Sequence, residues 1–164
     1  MRNYLFNIEK IRYVRGEKPD MKCILCAIRD RSLKVKSLEV YRTGSTVITV
    51  NLYPFNPGHL MLFPLRHIEY PGELTDEEAL DMHRVTVMSI NVLREEFSPD
   101  GFNIGCNLGN ESGASIMHYH QHIVPRYGNE LGFLDVLAGT RVIVIDPVKV
   151  MKRLKRIFAG IGKG

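Results

Sequence analysis

The chain alternates apolar and polar positions, or runs β-branched, over Leu38–Tyr41 and again over Ser45–Leu52. Thr43-Gly44 lies between the two runs, so they predict an antiparallel hairpin. Tyr53-Pro54-Phe55-Asn56-Pro57-Gly58 must then be a loop, because two prolines and a glycine do not fit a central strand. His59–Leu65 returns as an apolar strand. At Leu74-Thr75-Asp76-Glu77-Glu78 the period changes to that of a helix: Thr75 is placed to cap the first turn and Glu78 to complete a capping box. Met82, Val85, Met88 and Val92 form the buried stripe of this helix, and Pro99-Asp100-Gly101 stops it. Phe102–Asn107 and Ile116–Val124 read as two more strands, joined by the Gly109–Gly113 loop. Val150, Leu154, Ile157 and Phe158 recur with helical spacing and predict a C-terminal amphipathic helix over 147–160. Residues 1–20 are mixed, an extension that reads as at most a short helix ending before Gly16. The pattern is α+β: an antiparallel sheet of about five strands, one long helix and a C-terminal helix.

Composition narrows the setting. A chain of 164 residues with 45% hydrophobic and 24% charged side chains is one globular domain, 1–164, with a real core. No apolar run approaches membrane-spanning length, and Met1-Arg2-Asn3-Tyr4 lacks the apolar core of a signal peptide. The expected location is cytoplasmic, with no membrane partner. Three cysteines, two of them close together, suit a reducing compartment better than a disulfide framework. The net charge of +4 is concentrated in Lys149, Lys152, Arg153, Lys155, Arg156 and Lys163. These form the solvated face of the C-terminal helix, so the charge does not imply a nucleic-acid partner, although a mild positive field attracts polyphosphates.

The chemistry is concentrated in His118-Tyr119-His120-Gln121-His122. On a strand, residues i, i+2 and i+4 share a face, so three imidazoles line up on one side of the sheet. Such a row suits metal ligation or attack on a phosphate. The alternative, one buried histidine beside two solvated ones, is a poor account of three in register followed by Pro125-Arg126.

This His-φ-His-φ-His-φ-φ form resembles the histidine triad superfamily of nucleotide hydrolases and transferases. Asn51-Leu52-Tyr53-Pro54-Phe55-Asn56-Pro57-Gly58-His59 is similar to the segment that precedes the triad in that superfamily. Phe102-Asn103-Ile104-Gly105, Asn107, Gly109 and Ser112–Ser115 are similar to its phosphate-side loop, so the resemblance covers roughly residues 21–127. Pro125-Arg126-Tyr127-Gly128 and Gly139-Thr140-Arg141-Val142 resemble the diadenosine tetraphosphate phosphorylase branch. That branch has Trp where Tyr127 stands, and an Asn-Phe-Met-Pro-Val run where this chain has Gly132–Val136. Gln121 is also polar at a position that is apolar in the pattern.

The resemblance implies a histidine-triad fold and a set of roles. His120 would be the nucleophile, forming a nucleotidyl-histidine; His122 would contact the α-phosphate and help the leaving group depart; His59 would support His122. Asn51 would reach a ribose hydroxyl. Asn107, Gly113 and Ser115 would face the phosphates, with the glycines Gly109 and Gly113 letting backbone N–H groups approach an anion. Arg126 is a second-tier candidate for a distal phosphate. Cys106 reads as core, Met61 and Ile48 as core by default or else as lining a base pocket, and His83 as a solvated or interface residue of the long helix.

Cys23-Ile24-Leu25-Cys26 on its own is a redox pair, half of a zinc site, or two idle thiols. No βαβ pattern surrounds it, which counts against a thioredoxin-like motif. Zinc-containing triad proteins use a Cys-x-x-Cys with a histidine and the first triad histidine. The resemblance therefore implies a structural zinc held by Cys23, Cys26, His67 and His118. It further implies a homodimer and a dinucleoside polyphosphate substrate such as diadenosine tetraphosphate. The alternatives are a phosphoramidase acting on an adenosine 5′-phosphoramidate and a non-enzymatic nucleotide-binding protein. Uridylyl transfer fits less well, because that branch has Gln where this chain keeps His122.

Overall fold

The structure, a computed structural model, describes residues 21–128 and 145–161. The N-terminal extension at 1–20 and the branch-specific segments Gly132–Val136 and Gly139–Val142 lie outside the described residues, as does Lys163. A short helix, α1 (Ile24–Arg29), opens the fold. Next come strands β1 (Glu39–Arg42), β2 (Thr46–Val50) and β3 (Leu60–Pro64), the long helix α2 (Asp76–Phe97), and strands β4 (Gly101–Gly105) and β5 (Gln121–Arg126). Helix α3 (Pro147–Ile161) follows. The strands form one five-stranded antiparallel sheet in the order β1-β2-β3-β5-β4.

The two faces of the sheet carry different cargo. Ile48, Val50, Leu60, Leu62 and Ile123 face α2 and α3 and form the main core with Val85, Val92, Leu93, Leu154 and Phe158. Each such aliphatic or aromatic side chain removed from water contributes roughly 2 kcal/mol. Val47, Met61 and Phe63 alternate with that set and face α1. Met61 pairs with His122, so the triad strand presents this histidine to the α1 side. Gln121 points the other way. Its amide donates to Thr86 Oγ1 of α2 at 3.0 Å, and this bond is what a polar residue does at an otherwise apolar position.

Helix α2 begins as its sequence predicts. Thr75 Oγ1 accepts the Glu78 N–H, and Glu78 accepts the Thr75 N–H at 2.9 Å. Asp81, one turn on, accepts hydroxyl hydrogen bonds from Thr43, Ser45 and Thr46 at 2.5, 2.6 and 2.7 Å. One carboxylate thus fastens the β1–β2 turn to the helix.

The triad segment departs from the expected strand. Residues 116–120 run ahead of the sheet without ladder pairing, and β5 starts at Gln121. His118 and His120 thereby gain freedom to bond their own surroundings. At its far end, β5 extends past its last pairing with β3, and the Pro125 carbonyl accepts the buried Asn56 amide at 2.6 Å instead. Gly58 closes this loop at φ +81. A Cβ there would stand 3.0 Å from Leu93 and 3.3 Å from Pro125, so both the conformation and the space call for glycine.

Candidate active site and metal cluster

A cleft of about 300 Å³ opens on the α1 side of the sheet. One end is lined by His120, His122, Asn107, Gly113 and Ser115, residues that arrive from β5, the loop after β4 and the turn before the triad. Asn51 and Met61 line its middle. The structure therefore brings Asn51, Asn107, Gly113, Ser115, His120 and His122 to one cleft, whereas Gly109 and Arg126 are not among its lining residues. Ile48 lies in the main core, as expected. Cys106 is exposed rather than buried, because the strand it was assigned to ends at Gly105. His83 is exposed on α2. Arg126 donates to Asn103 Oδ1 at 2.5 Å.

The protonation pattern of the histidines follows from main-chain partners. His120 Nδ1 sits 2.7 Å from the His118 carbonyl. A carbonyl only accepts, so Nδ1 carries the proton and Nε2 keeps its lone pair. His59, fully buried, accepts the Phe55 backbone N–H on Nδ1 at 3.1 Å. Its proton must then be on Nε2, which lies 3.0 Å from His122 Nδ1. His122 accepts there and, when neutral, bears its own proton on Nε2. The His120 and His122 rings stand 4.9 Å apart, edge to face. Burial lowers the pKa of both; for His122, burial and then the neighbouring His120 bring it to about 4. Near neutral pH the site thus offers one unprotonated nitrogen on His120 and one N–H donor on His122.

His118 turns away from this pair. Its Nε2 donates to the Pro64 carbonyl at 3.0 Å, which leaves Nδ1 as an acceptor facing Cys23 Sγ at 3.5 Å and Cys26 Sγ at 3.6 Å. His67 Nδ1 is 3.3 Å from Cys26 Sγ. The four ligand atoms all lie within 4.8 Å of one another. Zinc bond lengths of about 2.3 Å to sulfur and 2.05 Å to nitrogen make a tetrahedral S···N edge of roughly 3.6 Å. The sulfur–nitrogen spacings found here match that edge, and the donor set is the soft and borderline one zinc takes. Burial, followed by the adjacent Cys23, raises the Cys26 thiol pKa in the metal-free protein. Burial brings His118 down to about 4 despite its bond to the Pro64 carbonyl, so its lone pair is available.

Sequence reasoning missed several residues of this site. Phe55 contributes its backbone N–H, which no side-chain pattern reveals. Asn56 binds the His59 loop to β5, and its position between two prolines was the available signal. Ile24, Leu25 and Ile28 also line the cleft. They belong to a helix of six residues, too short for a helical period to register.

An antiparallel sheet that presents paired histidines to a cleft, beside a Cys₂His₂ cluster able to hold a metal, defines an α+β protein with a candidate active site. The family is more particular: residues 32–129 match the model of the HIT domain, and the chain belongs to the HIT domain family. Among curated relatives, a protein of Mycobacterium tuberculosis named AP-4-A phosphorylase is 39% identical over 109 residues, 66% of this chain and 56% of its own. The asymmetrical bis(5′-nucleosyl)-tetraphosphatase of Schizosaccharomyces pombe is 35% identical over 92 residues, 56% of this chain and 50% of its own. The chain thus spans about half the length of these two relatives. A zinc-bound histidine triad family protein of Mycobacterium smegmatis superposes with a TM-score of 0.70 at 25% identity, covering 87% of this chain and 97% of that one. Among the described residues no helix is long and apolar enough to cross a membrane.

Proposed function

We propose that this domain is a nucleotidyl hydrolase or transferase that cleaves a dinucleoside polyphosphate, such as diadenosine tetraphosphate, through a covalent nucleotidyl-histidine. The observation that carries the reading is the bond from His120 Nδ1 to the His118 carbonyl, which leaves Nε2 unprotonated at the cleft. His120 Nε2 attacks the α-phosphorus, and the P–O bond to the departing nucleotide breaks. His122 Nε2 donates a hydrogen bond to the oxygen that leaves, which departs as a phosphate anion. His59, its own tautomer set by the Phe55 N–H, steadies the His122 ring from behind. In the second half, water or inorganic phosphate attacks phosphorus, the P–N bond breaks to restore neutral His120, and the proton lost by the nucleophile passes to solvent. Asn51 reaches the ribose, while Asn107, Ser115 and the Gly113 backbone (φ +84) receive the phosphate oxygens. The names of the two curated relatives support the substrate class.

Product analysis with diadenosine tetraphosphate, with and without inorganic phosphate, tests the reading. ADP plus ATP formed only with phosphate means phosphorolysis; AMP plus ATP, or two ADP, means hydrolysis. An intact substrate under all conditions overturns the proposal.

Acid should be well tolerated. A depressed histidine pKa keeps the neutral form down to lower pH, and neutral His120 is the reactive one. The acid limb of kcat/KM, which reports the free protein, is therefore expected below the ordinary histidine value of about 6.5. A limb centred above that value would mean that His120 is not held neutral by burial.

We read Cys23, Cys26, His67 and His118 as the ligands of one zinc ion. When bound, zinc would supply a closed four-ligand node with no open position, a structural contribution rather than a catalytic one. The proposed assembly is a homodimer through α2 and the sheet edge at β4. Leu80 and Val87 lie two turns apart on α2 at 49% and 44% exposure, and Ile104 on edge strand β4 at 47%. A sedimentation mass near 18.7 kDa at micromolar concentration would refute the dimer.

A further inference from the structure

The cleft has two chemically different ends, and only the histidine end enters the mechanism. Reading it as a nucleotide cleft, on which this inference rests, leaves the other end to the base. Beyond the histidines, the lining includes Ile24, Leu25 and Ile28 of α1, Thr49 of β2 and Leu38. Strand order separates the two ends. His122 is on β5, Leu38 immediately precedes β1, and β3 and β2 lie between those strands. Three strand spacings of about 4.8 Å make roughly 14 Å, the scale of a nucleoside 5′-phosphate laid across the sheet. A phosphate at β5 therefore puts its base at the β1 side.

Lys36 stands at that side, three residues before β1, and lines the same cleft. It is exposed, and among the described residues it is the one lysine, arginine, aspartate or glutamate in the lining. No carboxylate among the described residues pairs with it. A purely apolar slot would accept any base that fits. An ammonium offers three donors and no acceptor, so it favours a base edge with adjacent acceptors. Guanine presents O6 and N7 side by side; adenine presents N7 beside an amino donor that faces the same ammonium.

We propose that Lys36 is a specificity-determining residue that reads the O6/N7 edge of a 6-oxopurine, so that the site favours guanine-bearing over adenine-bearing nucleotides. The test is kcat/KM for diguanosine and diadenosine tetraphosphate on wild type, Lys36→Met and Lys36→Arg. Wild type should favour the guanine substrate by about fivefold or more. Lys36→Met should bring the ratio within about twofold of unity, with the loss concentrated on the guanine substrate. Lys36→Arg keeps the donors and should keep the preference. A ratio that is the same in wild type and Lys36→Met, or a wild-type preference for adenine, overturns the proposal. If neither substrate is cleaved, the cleavage reading has failed on its own account. Base selection is then judged from GMP and AMP titrations of wild type and Lys36→Met: a wild-type preference for GMP that the methionine variant loses supports it, and any other pattern overturns it.

Discussion

His120→Ala should abolish turnover, by at least about four orders of magnitude, while the protein still folds and binds nucleotide. Covalent catalysis has no substitute for the attacking nitrogen, so its loss costs the whole nucleophilic term. The cleft, by contrast, is also lined by Ile24, Leu25, Ile28 and Thr49 and does not depend on the imidazole. Melting temperature should hold or rise slightly, since a buried polar ring is removed but its partner, the His118 carbonyl, adjoins the cleft and can find water. Titration with substrate should give wild-type affinity within a fewfold, and a His120→Gly variant should hold the intact substrate for structure determination. Turnover equal to wild type in His120→Ala would sink the mechanism.

Zinc removal should produce the converse pattern. The ligands join α1 (through Cys23 and Cys26), the segment after β3 (through His67) and the approach to β5 (through His118). Three separate stretches of chain thus meet at one node. Losing it should cost about 3 kcal/mol, on the order of 10 °C in melting temperature for a domain of this size. Activity should fall about tenfold, because the His118 carbonyl orients His120 and its ring no longer has a fixed partner. Cys23→Ser should behave as metal-free protein does. The metal must displace protons from the thiols, and burial and Cys23 raise the pKa of Cys26, so affinity should fall as pH falls. Purified protein without metal, together with a Cys23→Ser variant equal to wild type in both melting temperature and rate, would reduce the pair to two thiols.

Much of this was legible in the residues, for reasons that differ by element. Helix α2 declares its start because Thr75 and Glu78 are a local device, complete within four residues. The β1–β2 hairpin is equally local, needing only β-branched runs and the Thr43-Gly44 turn. The roles of the triad came from resemblance, since spacing alone permits metal ligation as readily as phosphate attack. The geometry here separates those uses, with His118 turned to the cysteines and the other two histidines to the cleft. What stayed illegible is long-range or main-chain in origin. The Asn56 bond to Pro125 joins residues 69 apart in sequence. The expected strand over Ile116–Val124 started late because alternation describes side chains and says nothing about whether a neighbouring backbone is present to pair.

The protons of three histidines are positioned directly by the polypeptide backbone, through the Phe55 amide for His59 and the His118 and Pro64 carbonyls for His120 and His118, and His59 passes that order on to His122. Substituting residues 55, 64 or 118 therefore need not change which ring nitrogen bears the proton, provided the local path of the chain survives. Base selection has no such insurance, since it rests on side chains such as Lys36 that a single codon can replace. A domain divided in this way can change what it consumes over a short evolutionary distance while its reaction stays the same.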